Sequence, residues 1–273
     1  MPDLKQTNAI CFLYNSKYTK QGNIALNSAK LHNPNYDIVH LTDSPETSIA
    51  DVAVHPEKLG LHCDNDIWMV VGRIGIVEYC LKELGYHSCI FVDGDTYTYN
   101  NYTDFQTELD NGYSLVVIPH LLKPLPEDEK YPQNRTICLA GNYNSGFFGA
   151  TQKSLPFLEW WKYQTSLYPA PMPEAGLASE QGWLRFAVDF DDNVKVFKHP
   201  GYNVAYWNIK QRKLEIIDDE WTIDNHKLCL VHFSGFRQEL DPSQMSIFQN
   251  RYLLDKQDPV YSIFNSYKKL VWQ

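Results

Sequence analysis

The sequence is poor in basic residues and has no long apolar run. Its 24 Lys and Arg are outnumbered by 33 Asp and Glu, which gives a formal charge of −9 at pH 7. This balance argues against a nucleic-acid partner, because phosphate backbones are held mainly by Lys and Arg. No stretch reaches the roughly 18 apolar residues of a transmembrane helix, and residues 1–15 lack a signal-peptide pattern. We expect a cytoplasmic protein, with peripheral attachment to the inner face of a membrane left open.

Paired cysteines and common catalytic motifs are also missing. The six cysteines lie far apart and form no CxxC pair, so we expect reduced thiols, mostly in the core. There is no GxGxxG after the first apolar run, no GxxxxGK[ST], no HExxH and no GxSxG. Dinucleotide-binding proteins, Walker-type NTPases, zincin proteases and serine hydrolases therefore lack their usual markers here.

The order of apolar runs and helical periodicities predicts an alternating fold. The first half predicts strand, helix, strand, short strand, long helix and strand over residues 8–15, 19–34, 36–42, 50–55, 67–87 and 89–93. In the second half, strands are predicted at 112–120, 145–150, 193–198, 203–207 and 227–233. Helices are predicted at 154–167 and 177–190, before the C-terminal helices. Such alternation is typical of an α/β fold with a mostly parallel central sheet flanked by helices.

Two carboxylates stand one residue apart where the strand at 89–93 ends, in Asp93-Gly94-Asp95. Ligands bind parallel sheets beyond the carboxyl ends of their strands, which is where this pair falls. Adjacent like charges cost free energy unless a cation or a shared proton offsets the repulsion, and oxygen ligands suit Mg²⁺ or Mn²⁺. A turn whose carboxylates accept bonds from backbone amides explains the same residues. The pair alone leaves both interpretations open.

Three later segments follow the acidic pair in a fixed order. They are Asn144-Ser145-Gly146 before a predicted strand, Glu180-Gln181 at a predicted helix start, and His232 in the strand-end segment His-Phe-Ser-Gly, which closes on Gly235. In this order they resemble the GT-A nucleotide-sugar glycosyltransferases, specifically the retaining, family 8-like group that includes glycogenin and the bacterial lipooligosaccharide galactosyltransferases. The resemblance covers residues 8–240 and implies a GT-A, Rossmann-like fold.

The resemblance implies a metal-dependent sugar transfer. Asp93, Asp95 and His232 would hold Mn²⁺ or Mg²⁺, and the ion would bridge the diphosphate of a nucleotide-sugar donor, with a UDP-sugar favoured. The acceptor would be a saccharide, a lipid-linked saccharide or a protein, and the anomeric configuration of the donor would be retained. From the residues alone, His232 also fits a partly buried histidine bonded to backbone.

The resemblance also assigns the donor site. Glu180 would act near the reacting sugar carbon with Asn144 and Gln181, although a helix cap and an Asn-Ser-Gly turn explain these residues too. The positions assigned to donor binding are Leu13, Tyr14, Asn15, Arg73, Asp93, Gly94, Ser145, Gly146, Gly235 and Arg237. Tyr18 is a candidate stacking ring, and Arg73 fits a ligand contact and a structural ion pair equally well.

The chain departs from the family after His-Phe-x-Gly. The family continues there to a Lys-Pro-Trp that grips the diphosphate, whereas this chain has Phe236-Arg237-Gln238, so that Arg237 would replace the lysine. Segment 199–209 supplies four further candidates, for an acceptor site or for the core: Tyr202, Asn203, Tyr206 and Trp207.

We expect residues 1–273 to form a single GT-A domain. Its parts would be a nucleotide-binding half (1–120), an acceptor and catalytic half (121–240) and C-terminal helices (241–273). Two other functions stay open. The segment Asp-Gly-Asp-Thr partly matches the motif of haloacid-dehalogenase-like Mg²⁺ phosphohydrolases, although Thr96 falls one position early. A catalytically inactive sugar-nucleotide-binding protein would also carry these segments.

Overall fold

The computed structural model describes residues 7–64 and 66–273. Its strands are, in chain order, β1 (Ala9–Leu13), β2 (Asp37–Leu41), β3 (Val52–Val54), β4 (Ser88–Asp93), β5 (Thr96–Thr98), β6 (Leu115–Pro119), β7 (Tyr143–Thr151), β8 (Val194–Val196), β9 (Leu214–Ile217), β10 (Glu220–Ile223), β11 (His226–Lys227) and β12 (Leu230–His232). Its α-helices are α1 (Thr19–His32), α2 (Ile67–Lys82), α3 (Thr103–Asp110), α4 (Asn134–Ala140), α5 (Leu155–Leu167), α6 (Ser179–Trp183), α7 (Ala187–Phe190) and α8 (Pro259–Trp272). None of the helices in this part of the chain combines the length and the apolar content that a membrane crossing requires.

A 7-stranded sheet in the order β3-β2-β1-β4-β7-β6-β8 forms the centre of the fold. The pairs β2–β3, β1–β2, β1–β4 and β6–β8 are parallel, whereas β7 runs antiparallel to both β4 and β6. The predicted mostly parallel sheet flanked by helices is confirmed. Because α1 and α2 return the chain to the start of each parallel strand, the carboxyl ends of β1, β2 and β4 meet at one edge. Asp93 ends β4 at that edge.

Both faces of the sheet are covered by helices. On one face, Cys11 of β1 and Phe91 of β4 join a buried cluster that includes Trp161 of α5. On the other face, Phe12 of β1 packs in a cluster with Phe105 of α3 and residues of α1. Successive side chains of a strand point to opposite faces, so a strand covered on both sides is apolar throughout. This explains the uninterrupted apolar runs of β1 and β4.

A two-stranded ribbon and a three-stranded sheet stand beside the central sheet. In the ribbon, β5 pairs antiparallel with β12, so that Thr96 lies opposite His232. The three-stranded sheet has the order β11-β10-β9. Helix α8 packs beside the ribbon, where the ring of its Tyr267 stacks on Phe233, the residue after β12, with centroids 3.6 Å apart. Because β5 begins directly after Asp95, the ribbon brings the end of β12 to the acidic pair.

Two predicted elements differ from the structure. Residues 177–190 are not one helix, because a 3₁₀ turn at Leu184–Phe186 separates α6 from α7. Residues 203–207 are not a strand, because Asn203 has a φ of 49°, in the left-handed region, and only Val204 forms an isolated bridge. The C-terminal segment, for which the pattern predicts one or two helices, holds one α-helix, α8. Four of the six cysteines are buried, and Cys63 and Cys138 are exposed.

Candidate functional site

A cleft of about 1150 Å³ opens at the carboxyl ends of β1 and β4. Its lining contains these residues that the sequence predicted: Leu13, Tyr14, Tyr18, Arg73, Asp93, Gly94, Asp95, Asn144, Glu180, Gln181, Tyr206, Trp207, His232, Gly235 and Arg237. Asn15, Ser145 and Gly146 are buried behind this surface. The structure therefore gathers the predicted residues at the sheet edge where α/β proteins bind their ligands.

The acidic pair and His232 lie together in this cleft. His232 Nε2 is 2.9 Å from Asp95 Oδ1 and 3.8 Å from Asp93 Oδ2. One ligand atom from each residue lies within 4.8 Å of the other two. Two carboxylate oxygens and an imidazole nitrogen at this spacing form a donor set that fits Mn²⁺ or Mg²⁺. We refer to these three residues as the metal cluster.

The buried Asn203 orients the imidazole of the metal cluster. Its Oδ1 lies 3.1 Å from His232 Nδ1. An amide oxygen only accepts hydrogen bonds, so the proton of the neutral imidazole sits on Nδ1 and Nε2 faces the carboxylates. Of the two alternatives for Tyr202 and Asn203, an acceptor site or the core, the structure shows the core, because both residues are fully buried. Asn203 acts on the cleft through His232.

Burial and charge shift the pKa values of the metal cluster. Burial raises the pKa of Asp93, although Arg73 opposes the shift. Burial would raise the pKa of Asp95 as well, but His232 and Arg73 hold it below its ordinary value. Burial would lower the pKa of His232, but Asp95 and Asp93 raise it above its ordinary value. The two carboxylates thus favour positive charge at Nε2, the position that a divalent ion would take.

Arg73 of α2 joins the metal cluster to Glu180. Its guanidinium lies 3.0 Å from Asp93 Oδ1 and 3.2 Å from Glu180 Oε1, and it donates a hydrogen bond to Ser145 Oγ at 2.8 Å. Ser145 Oγ in turn donates to Glu180 Oε1 at 3.0 Å. Arg73 therefore forms structural ion pairs with Asp93 and Glu180, and it also lines the cleft. By holding Oδ1 of Asp93 it leaves Oδ2 directed at His232.

An amide network holds Asn144 and Gln181 side by side. Asn144 Nδ2 donates to Gln181 Oε1 at 3.1 Å, and Gln181 Nε2 donates to the carbonyl oxygen of Ala140 at 2.8 Å. Asn144 Oδ1 accepts from the backbone N–H of Gly146 at 2.9 Å. These bonds tie the start of β7 to α6, so Glu180 and Gln181 face the cleft from a fixed backbone.

Gly146 lies directly against the metal cluster. A Cβ at this position would be 2.7 Å from His232 Cε1 and 2.8 Å from Asn144 Oδ1, and it would overlap Asp93 Oδ2. Real Cβ atoms do not approach other atoms this closely. Glycine is thus required here because the metal cluster occupies the space of a side chain, and the conformation of its backbone plays no part.

The predicted nucleotide end of the cleft is formed by the last residue of β1 and the residues that follow it. Leu13 and Tyr14 line the cleft, and the Tyr14 ring stacks on His40 with centroids 3.7 Å apart. Tyr18, whose side chain is 53% exposed, lines the cleft with no ring stacked on it in the described chain. Asn15 instead caps the following 3₁₀ turn, because its Oδ1 accepts from Lys17 N. Tyr18 therefore keeps a free face for a ligand.

His120 is a cleft residue that the sequence analysis missed. It follows β6, and its Nε2 lies 3.1 Å from Asn144 Nδ2. Burial lowers the pKa of His120 to about 4, so the imidazole is neutral at pH 7 and accepts this hydrogen bond. Ligands bind beyond the carboxyl ends of parallel strands, which is the argument that pointed to Asp93. The same argument points to His120, because β6 runs in the same direction as β4.

No family model matches the chain. A protein of Bacillus subtilis (strain 168), described as "Uncharacterized protein YfnF", is 30% identical over 157 residues. The match covers 54% of this chain and 49% of that relative, so the chain spans about half of the relative's length.

Several solved glycosyltransferases share the fold at low sequence identity. The galactosyltransferase LgtC, solved with donor and acceptor sugar analogues, has 12% identity and a TM-score of 0.53, with 98% of this chain and 97% of that chain covered. A glycosyltransferase involved in glycosylation of the major capsid of PBCV-1 has 10% identity and a TM-score of 0.53, with 85% and 94% covered. GlyE of Streptococcus pneumoniae TIGR4 has 14% identity and a TM-score of 0.55, with 97% and 60% covered. The chain therefore has the GT-A fold of these glycosyltransferases.

Proposed function

We propose that the protein transfers a sugar from a nucleotide-diphosphate sugar, most simply a UDP-sugar, to a hydroxyl of an acceptor with retention of configuration. The observation that carries this proposal is the metal cluster, set in a large cleft at the carboxyl edge of a GT-A sheet. We also propose that residues 1–273 act as one GT-A unit, with the nucleotide bound by residues 1–120. The similarity to LgtC and GlyE supports the reaction class.

The chain's own residues prepare the metal cluster for Mn²⁺ or Mg²⁺. Asp93 and Asp95 offer carboxylate oxygens, His232 offers Nε2, and the missing side chain of Gly146 lets Asp93 and His232 pack against the backbone of β7. A bound divalent ion supplies electrostatic stabilisation of the diphosphate leaving group. Arg73 keeps Asp93 in place through its ion pair and compensates part of the negative charge of the site.

Glu180 is the proposed catalytic carboxylate. It lies on α6 next to Gln181, and both face the cleft from positions fixed by Arg73 and Asn144. A carboxylate near the anomeric carbon would stabilise the positive charge that develops there as the bond to the diphosphate breaks. The amides of Asn144 and Gln181 would bind hydroxyls of the donor sugar.

Nucleotide-sugar turnover tests this proposal. Incubation with Mn²⁺ and a panel of UDP- and GDP-sugars should release nucleoside diphosphate, and EDTA should stop the release. Asp93→Asn and Asp95→Asn keep the shape of each side chain and should lower the rate at least 100-fold, since each removes a charged ligand. The matched control is Asp192→Asn, an exposed carboxylate outside the cleft, which should turn over like the unsubstituted protein.

Two outcomes would contradict the proposal. Release of phosphate from sugar phosphates without turnover of any nucleotide sugar would favour a phosphohydrolase. Binding of a nucleotide sugar without turnover under any metal condition would favour an inactive binding protein. The anomeric configuration of the product, measured by NMR, tests retention separately, because an inverted product would remove only that part of the proposal.

A further inference from the structure

Three cysteines meet inside the core, away from the cleft. Cys11 lies on β1, Cys80 on α2 and Cys89 on β4, and all three are 0% exposed. Cys11 Sγ is 3.5 Å from Cys80 Sγ, and the three Sγ atoms all lie within 4.8 Å of one another. None of the three residues lines the cleft. We call them the thiol cluster, and the proposed sugar transfer makes no use of it.

The backbone of the central sheet fixes the thiol cluster. Cys89 of β4 lies opposite Ala9 of β1, and Cys11 follows Ala9 by two residues, so both cysteines point to the same face of the sheet. Cys80 belongs to the same buried cluster on that face, where α2 covers the sheet. Tyr86 N donates to the carbonyl oxygen of Cys80 at 3.1 Å and so ties the end of α2 to the start of β4. The fold itself therefore brings the three sulfurs together.

The spacing of the sulfurs fits a single metal ion. Metal–sulfur bonds of about 2.3 Å at trigonal angles place the ligand sulfurs about 4.0 Å apart. The pair at 3.5 Å and the limit of 4.8 Å bracket this value, so small side-chain adjustments bring all three sulfurs around one ion. Thiolate sulfur selects soft ions, whereas the oxygen-rich donor set of the metal cluster suits Mn²⁺ or Mg²⁺. The two clusters therefore differ in the class of ion that they accept.

The ligand count and the apolar surroundings narrow the choice of ion. No fourth His, Cys, Asp or Glu within residues 7–64 and 66–273 joins the thiol cluster. Structural Zn²⁺ sites are almost always four-coordinate, so Zn²⁺ would lack a ligand here, whereas Cu⁺ is soft and binds two or three sulfurs. Uncompensated charge is costly among the apolar side chains that surround the cluster. One thiolate neutralises Cu⁺, whereas Zn²⁺ requires two.

We propose that the thiol cluster is a closed binding site for one Cu⁺ ion. The ion bonds the three sulfurs, and one thiol releases its proton to solvent as the ion binds. The elements β1, α2 and β4 also carry Leu13, Arg73 and Asp93, so the bound ion joins the elements that present these residues to the cleft. Because no sulfur is exposed, the ion enters while the chain folds and leaves only when the structure opens locally.

Retention of Cu⁺ against a chelator tests the inference. The exposed Cys63 and Cys138 would also bind the ion, so the test protein carries Cys63→Ser and Cys138→Ser. It is refolded from urea without oxygen in the presence of one equivalent of Cu⁺ and then mixed with excess bicinchoninate, whose colour reports the ion that it removes. The folded protein should keep one ion per chain and release it slowly, whereas addition of urea should release it at once.

Removal of one sulfur at a time identifies the ligands. Loss of a second-shell partner alone costs about 10- to 100-fold in metal affinity, so Cys80→Ala and Cys89→Ala, which each remove a direct ligand, should lose on the order of 100-fold or more. The matched control is Cys229→Ala, which removes a buried thiol outside the thiol cluster and should keep the ion. Retention and its loss in urea are measured with the cluster intact, so they decide the question even where a variant does not fold.

Three outcomes would overturn the inference. They are immediate removal of Cu⁺ from the folded test protein, retention of the ion by both cluster variants, and equal retention of Zn²⁺ after refolding with that ion. The inference does not rest on the proposed function, because neither a donor nor Mn²⁺ is present in the assay. Failure to retain Cu⁺ would leave sugar transfer untouched, and failure of sugar transfer would leave the thiol cluster untouched.

Discussion

Adding one methyl group at Gly146 is the sharpest test of the metal cluster. In Gly146→Ala the new Cβ would overlap Asp93 Oδ2 and lie 2.7 Å from His232 Cε1, so at least one of the two ligands must move. Overpacking of this kind costs about 1–3 kcal/mol of unfolding free energy. Displacement of a metal ligand by about 1 Å should also lower the turnover rate on the order of 100-fold, because catalysis depends on the exact geometry in which the surrounding residues hold the site.

The same strand provides a matched control. In Gly149→Ala the Cβ would lie 2.6 Å from Phe105 Cε1 and 2.9 Å from Leu109 Cδ1, in the core between β7 and α3. This variant should lose a similar 1–3 kcal/mol of stability, by the same overpacking. It should keep its Mn²⁺ affinity, because neither neighbour touches the cleft.

The assay compares three proteins by three measurements. Urea unfolding gives the stability, the electron paramagnetic resonance signal of free Mn²⁺ gives the metal affinity, and UDP release gives the turnover. Both variants should be destabilised, but only Gly146→Ala should lose at least tenfold in Mn²⁺ affinity. If Gly146→Ala binds Mn²⁺ as tightly as Gly149→Ala, the reasoning that places the ion beside Gly146 is refuted, whatever the turnover shows.

Three further predictions concern stability and pH. Arg73→Gln leaves the carboxylates of Asp93 and Glu180 buried without their cation and should cost about 3 kcal/mol in urea unfolding, part of which saturating Mn²⁺ should restore; no loss would contradict the ion-pair role. Burial lowers the pKa of His40 to about 4. In the unfolded chain the pKa of His40 is near 6.5, so its contribution to the unfolding free energy is complete above pH 6.5. About 3 kcal/mol of that free energy is lost as the pH falls to 4, and His40→Gln should not show this loss. The buried guanidinium of Arg251 makes a two-pronged ion pair with Asp128, at 2.8 and 2.9 Å. Arg251→Lys keeps the charge but cannot form both contacts, so it should lower the unfolding free energy by about 2 kcal/mol; an unchanged midpoint of urea unfolding would contradict this stabilising role.

The sequence could predict which segments meet, because each of them lies at the end of a strand or at the beginning of a strand or helix. Asp93 and His232 were each placed at a strand end, and the family order predicted that they lie close together, as they do. The metal itself and the catalytic roles stay predictions. The ion pairs of Arg73 could not be derived, because nothing in the apolar helix around it indicates which carboxylates the helix will face.

The missed three-stranded sheet had a readable signal. Asp218 and Asp219 have φ angles of 52° and 63°, and Asp224 and Asn225 have 49° and 63°. Two successive residues in the left-handed region form the tight turns that favour β-hairpins, and Asp and Asn tolerate this conformation best after glycine. The run Leu-Glu-Ile-Ile-Asp-Asp-Glu-Trp-Thr-Ile-Asp-Asn thus contains two hairpin turns between short strands. Asn203 is the opposite case, because a single left-handed residue in an apolar run leaves no such pattern.

Cations without ion-pair partners line the cleft where a donor diphosphate would bring negative charge. The carboxylates of Asp93, Asp95 and Glu180 face the guanidinium of Arg73 and the imidazole of His232, so a divalent ion brings this inner part of the cleft close to neutrality. Glu239 is a further carboxylate in the cleft lining. A donor diphosphate would then add negative charge that the metal cluster and Arg73 do not offset. Lys17, Lys20 and Arg237 line the same cleft, and none of them has an ion-pair partner in the described part of the chain. In an acidic protein, cations left unpaired at one cleft supply an attraction that salt screens, so donor binding should weaken as ionic strength rises.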